Sequence, residues 1–159
     1  MGNISFSGVE NAKANVGGNY VKPCDMIARI DRVKQDDSRS NGSFIANEMT
    51  VLHVFEGEHE VGENVTHMLM QKFDSFLNNW KKLVIGITSC PDSEVTEEAS
   101  NKIVSEDQPL SGIVVRVKAH NIKTRKGEDF TIVNYHGEVK EEDWRPLVSD
   151  ADAARLSLV

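Results

Sequence analysis

From Ile113 to His120 the chain gives its clearest alternation: Ile113, Val115, Val117 and Ala119 are apolar or small, and Val114, Arg116, Lys118 and His120 stand between them. A period of two over eight residues fits a strand with one face in a core and one in water. Thr124-Arg125-Lys126-Gly127 then reads as a hairpin tip, and Phe130 to Val139 as the returning strand. The same texture recurs earlier. Met26, Ala28 and Ile30 alternate with Asp25, Arg29 and Asp31 as far as about Lys34, while Ile27 and Val33 break the alternation and predict curvature or a bulge. The polar run from Gln35 to Gly42, with its Asn41-Gly42 step, returns the chain as a hairpin. A second strand follows from about Ser43 to Phe55, with Ile45, Met49 and Val51 toward the core and Phe44, Glu48 and Thr50 on the other face. After a turn at 56–60, residues 65–73 form a third.

The period then changes. Phe73, Phe76, Leu77, Trp80, Leu83, Val84 and Ile87 recur at three and four, which predicts an amphipathic helix capped at Asp74 or Ser75 and ending near Gly86. Residues 92–109 are acidic and read as a short helix or solvated loop. The order is three strands, a helix and two strands. It predicts a mainly β chain folded as a five-stranded oligonucleotide/oligosaccharide-binding (OB) barrel, with the helix between the third and fourth strands plugging one end. Residues 1–19 form a loosely ordered lead-in, residues 20–139 the OB domain, and residues 140–159 an acidic tail with a short helix from about Asp150. One domain suits 159 residues.

Charge is unevenly placed. The chain carries 18 Lys and Arg against 25 Asp and Glu, a net −7, which excludes a uniformly basic nucleic-acid binder. Yet no Asp or Glu falls between Ser111 and Gly127, where Arg116, Lys118, Lys123, Arg125 and Lys126 all lie. Such a stripe suits a phosphate backbone, whose neutralisation releases condensed counterions; its ordinary alternative is a solvated strand face. Arg32 and Lys34, with Lys22 and Arg29, make a weaker cationic set interleaved with Asp25 and Asp31. Single strands also need aromatic faces on which unpaired bases stack. The strand aromatics are Tyr20, Phe44, Phe55, Phe130 and Tyr135. Phe44 is preferred because it opposes the core side, with Tyr135, Phe130 and Tyr20 behind it. Alternation puts Phe130 and Tyr135 on opposite faces, so one of the two belongs to the core. Trp80 fits packing within the helix.

Other chemistries lack their residues. No apolar run approaches the roughly 20 residues of a membrane helix, and the N-terminus has neither the basic nor the apolar region of a secretory signal. Cys24 and Cys90 have no CxxC spacing and fit a reducing cytoplasm. His53, His59 and His67 bracket one hairpin, and His53 and His67 could approach across paired strands, but the short ligand spacings of a zinc site are missing. There is no Walker loop, no GxGxxG and no HExxH. Neither catalysis, a cofactor nor a metal is expected.

A Gly-Gly-Asn-Tyr entry at 17–20, the Asn-Gly hairpin, TVLHVFEGEHEVGENV, FLNNWKKLVIGI and IKTRKGEDFTIVNYHGEV together resemble small phage-encoded OB-fold single-stranded-DNA-binding proteins, over residues 17–139. The resemblance implies sequence-tolerant binding of single-stranded DNA in phage replication or recombination, in the host cytoplasm; the sequence leaves monomer and dimer both open. Many such proteins recruit replication partners through an acidic C-terminal tip; here the chain ends Ala153-Ala154-Arg155-Leu156-Ser157-Leu158-Val159 and departs from that pattern. A structural or protein-interaction β-barrel module, a phage particle component or an adaptor, is the alternative, with the acidic loop at 92–107 as its docking surface.

Overall fold

The computed structural model describes residue 5 and residues 19–39 and 42–158, so the lead-in up to Gly18 and Asn41 of the Asn-Gly step lie outside the described residues. Five antiparallel strands form one sheet: β1 (Cys24–Ser38), β2 (Gly42–Gly57), β3 (Asn64–Met70), β4 (Val114–Lys123) and β5 (Asp129–Glu138). Their spatial order is β3-β2-β1-β4-β5, so β3 and β5 are the edges. The β1–β2 ladder slips three times, at Asp25/Met26, Ile27/Ala28 and Ile30/Arg32. Each irregularity adds twist and bends the long hairpin.

The expected barrel is not closed by hydrogen bonds, because no ladder joins β3 to β5. Side chains meet across the gap instead. The Asn47 amide on β2 donates to the Tyr135 hydroxyl on β5 at 3.0 Å, and that hydroxyl lies 2.8 Å from His67 Nδ1 on β3. Since the phenolic oxygen accepts from Asn47, its own proton goes to His67, whose ring is therefore neutral with Nδ1 accepting. Burial, with Lys82 nearby, holds the His67 pKa down to about 4, and burial pushes the Tyr135 phenol far above its ordinary range.

Helix placement also differs from expectation. Two helices stand between β3 and β4, α1 (Phe76–Thr88) and α2 (Glu97–Ile103). Rather than plugging a barrel end, α1 packs on the two edge strands β5 and β3 and sends Trp80, Leu83, Val84 and Ile87 into the core. Gly86 does not terminate α1; Ser89 does, in the left-handed conformation at φ 57°. Gly86 is there for contact: a Cβ would sit 2.7 Å from the Tyr135 carbonyl, so only glycine lets the helix lie flush on β5. Phe73 and Leu77, expected on the buried stripe, are 52 % and 71 % exposed, because the helix begins only at Phe76 and turns its first residues outward. In α2, Thr96 caps the amide of Ala99 at 3.1 Å.

The inner face of the sheet holds Met26, Ile30, Met49, Val51, Val115 and Val117, all essentially without solvent contact. Full burial of each is worth roughly 1.5–3 kcal/mol. A second apolar cluster lies on the other face. Ile27, Leu52 and Val114 are covered there by Trp144, Val148 and Ala153 of the C-terminal segment, which forms α3 (Glu141–Trp144) and α4 (Asp150–Arg155). The break in alternation at Ile27 thus has a cause: this strand is apolar on both faces because both faces are covered. Arg29 Nη1 donates to the Leu156 carbonyl at 3.3 Å and Arg155 Nη2 to the Val61 carbonyl at 3.2 Å, pinning the segment down.

Two outcomes follow. Trp144→Ala should lose roughly 3–5 kcal/mol in urea denaturation, as for other buried aromatics, whereas a free acidic tail would lose nothing. Because the folded His67 pKa lies below its unfolded value of 6.5, the unfolded chain takes up a proton that the folded one refuses. Stability should therefore be full above pH 6.5 and fall toward pH 4. Wild type should lose roughly 1–2 kcal/mol more than His67→Gln between about pH 7 and 5. Parallel curves for the two proteins would contradict the neutral, Tyr135-bonded ring.

Candidate nucleic-acid interface

β1 pairs with β4 only from Cys24↔Ala119 to Arg29↔Val114, whereas β4 pairs with β5 out to Lys123↔Asp129. From His120 onward the last two strands leave the sheet as a two-stranded ribbon, and every residue from 120 to 130 is exposed. Its tip is closed by the Thr124 amide on the Glu128 carbonyl (2.8 Å) and the Gly127 amide on the Thr124 carbonyl (2.9 Å), with Gly127 at φ +77°. Cross-strand register puts Lys118 with Asn134, His120 with Ile132 and Ile122 with Phe130. Arg116, Lys118, His120, Ile122 and Phe130 thus share the outward face, over roughly 20 Å at the usual strand rise. Ile122 is 40 % exposed and Phe130 51 %.

The expected cations divide by their partners. Arg116 is clamped by Asp25, Nε to Oδ1 at 2.9 Å and Nη2 to Oδ2 at 2.8 Å. The guanidinium's hydrogen bonds hold the Asp25 carboxyl below its ordinary range, and the carboxylate in turn raises the pKa of Arg116. Lys123 falls on the opposite face of the ribbon and reaches Asp129 at 3.0 Å. Among the described residues Lys118, Arg125 and Lys126 form no ion pair within 4.0 Å and remain available to an anion. Arg32 and Lys34 do not join them. The ribbon extends beyond the Cys24 end of β1, and these two lie toward the other end, roughly 30 Å away by strand rise; Lys34 is also paired with Glu48 at 2.8 Å.

The aromatic candidates are scattered as well. Tyr135 is 8 % exposed and spends its hydroxyl on Asn47 and His67, so it is a core residue and offers no face to a base. Phe44 pairs with Asp36 and Met70 at the far end of the sheet. It is half-buried and lines an apolar groove of about 540 Å³ with Phe76, Leu77 and Trp80. Tyr20 is 51 % exposed, bridged to Thr66 by its backbone, and borders a recess against the other face of the ribbon with Lys22, Asn121 and Thr131. Of these four candidates, Phe130 alone lies on the cationic face.

Phe55 is among the strand aromatics the sequence offers for stacking but is not one of the ranked candidates. It is 42 % exposed; the Arg116 guanidinium lies 4.3 Å from its ring centroid and the His53 ring meets it at 4.7 Å and 78°. The period-two spacing of His53 and Phe55 hinted that they share a face; the register that brings Arg116 to them was not readable.

The histidines are dispersed. His67 pairs with Asn47 in the sheet and His53 with Ile27, so the two do not approach each other. His59 is buried and accepts from the Lys22 amide at 2.9 Å through Nε2, while its Nδ1 faces Glu63 at 2.6 Å. Burial alone would raise the Glu63 carboxyl, but hydrogen bonds from His59 and Asn19 outweigh it and leave the pKa lowered. This clip fastens the entry of β1 to the β2–β3 turn. Among the described residues no group of three His, Cys, Asp or Glu side chains is placed to hold a metal ion. Burial pushes the Cys24 thiol up to about 11, away from nucleophilic use. No helix among the described residues is long and apolar enough to cross a membrane. Comparison with protein-family models and with curated protein sequences yields no match.

Proposed function

We propose that the chain is a non-enzymatic, sequence-tolerant single-stranded-DNA-binding protein whose β4–β5 ribbon carries the contact, and that it serves phage replication or recombination as the sequence resemblance implies. The observation that carries the reading is the ribbon itself: an exposed two-stranded arm with unpaired Arg125 and Lys126 and an exposed Phe130, with unpaired Lys118 at its root, on an otherwise acidic protein. Phosphates neutralised by those cations supply salt-dependent affinity, and the apolar Ile122–Phe130 pair offers a base-sized surface that needs no sequence readout.

A second reading, a protein-interaction module, draws on the groove lined by Phe44, Phe76, Leu77 and Trp80, beside which Phe73 and Leu77 stand exposed. One titration separates the two. With fluorescein-labelled oligo-dT in an anisotropy assay, three phosphate contacts give a slope of about −2 in log affinity against log salt. Affinity then falls about 16-fold between roughly 50 and 200 mM. Lys118→Glu with Arg125→Glu should remove the binding, and Arg32→Glu with Lys34→Glu should leave it. Absence of binding at low salt, or insensitivity to Lys118 and Arg125, favours the interaction module.

A further inference from the structure

Phe55 is a large apolar ring left 42 % exposed on a central strand, and it is held rather than loose. Arg116 lies over it at 4.3 Å, within the range of a favourable cation–π contact. Arg116 is itself fixed by the two parallel hydrogen bonds it donates to Asp25, a fork that allows one orientation of the guanidinium plane. His53 closes another side of the ring at 78°. Three strands contribute, β1 with Asp25, β2 with His53 and Phe55, and β4 with Arg116, so the arrangement does not depend on a loop. The Asp25 clamp uses two of the five guanidinium N–H groups, and the Arg116 side chain remains 38 % exposed. Solubility alone gives no reason to place an exposed phenylalanine beside an oriented arginine.

We infer that the Phe55–Arg116 stack is a preorganised platform for one nucleobase, at the sheet end of the face that carries Lys118, His120 and Phe130. This rests on the single-strand reading above and extends it. The strand is gripped at both ends of a face roughly 20 Å long, by Phe130 near the tip and by the Phe55–Arg116 stack at the root. The remaining Arg116 N–H groups face the phosphate or base edge beside the stacked ring. Asp25 is a positioning residue: it orients the guanidinium and cancels its charge, so the platform contributes stacking rather than salt-dependent attraction.

The experiment compares oligo-dT with an abasic oligodeoxynucleotide of equal length, which keeps the phosphates and lacks the bases. Phe55→Ala should weaken oligo-dT binding by roughly 5- to 100-fold, the range for loss of one stacked base. It should leave abasic binding and the salt slope unchanged. Phe55→Trp should restore affinity, and its fluorescence should be quenched by oligo-dT; the native Trp80 and Trp144 are 5 % and 8 % exposed and give a steady background. Wild-type affinity for oligo-dT in Phe55→Ala, with unchanged far-UV circular dichroism, overturns the platform and leaves the ribbon reading intact. Equal loss on both oligonucleotides also overturns it, because the ring would then act through the backbone contacts. Failure of the wild-type protein to bind either oligonucleotide removes both readings.

Discussion

The three-residue contact of Asn47, Tyr135 and His67 governs the shape of this molecule. A five-stranded antiparallel sheet with a twisted, bulged central hairpin has two free edges, and unpaired edges invite association with other chains. Here the edges are drawn together without a ladder. One buried hydroxyl accepts from β2 and donates to β3 while belonging to β5, and α1 lies on both edge strands. Such a contact is demanding. Buried polar atoms cost free energy unless each is paired, and the Asn47 carbonyl oxygen has no partner among the described residues. The seam therefore holds only while His67 is neutral and Gly86 lets the helix lie against Tyr135.

Closing the structure by side chains rather than by backbone has a consequence for β4 and β5. In a ladder-closed barrel the last strand is paired on both sides. Here β5 is paired only with β4, and β1 stops pairing with β4 at Ala119. The distal half of the hairpin is thus free to project, and it carries the unpaired Arg125 and Lys126, with Lys118 at its root in the sheet. Elsewhere the bare backbone of β1 is satisfied by a side chain: Gln108 both accepts from the Val33 amide and donates to its carbonyl, at 2.8 Å each.

The strands and their order were legible because a half-buried strand writes its period directly into sequence, and β4 did so most clearly. Alternation reveals two faces but not which one is inside, and so Tyr135, bearing a polar atom and lying near a basic strand, read as a ligand contact. The deciding facts were long-range: Asn47, 88 residues distant, waits for its hydroxyl. Register was equally hidden. The slip at Asp25/Met26 leaves Phe55 without a ladder partner on β1, beside Arg116, and antiparallel pairing sends Arg32 and Lys34 to the opposite end from the ribbon. The acidic tail also misled, because its charges sit on the outer surface of a segment whose Trp144, Val148 and Ala153 are buried. Composition reported the charges; the spacing of three apolar residues was too short to announce a second core.

The net charge of −7 takes on a specific meaning once its partners are known. Asp25 neutralises Arg116, Glu48 neutralises Lys34, and Asp129 neutralises Lys123, so much of the basic content is spent on holding strands and side chains in place. The cations left unpaired on the ribbon stand on an arm that reaches away from an acidic body. Exposed like charges and counter-charges are screened over roughly 10 Å at ordinary salt, and an arm of this length carries its tip beyond that distance. On the single-strand reading proposed above, the body would repel a stiff, densely charged duplex that must lie against it, while a flexible strand would follow the arm alone. Placing the charge on a projection, rather than raising the total, lets an acidic protein present a cationic surface.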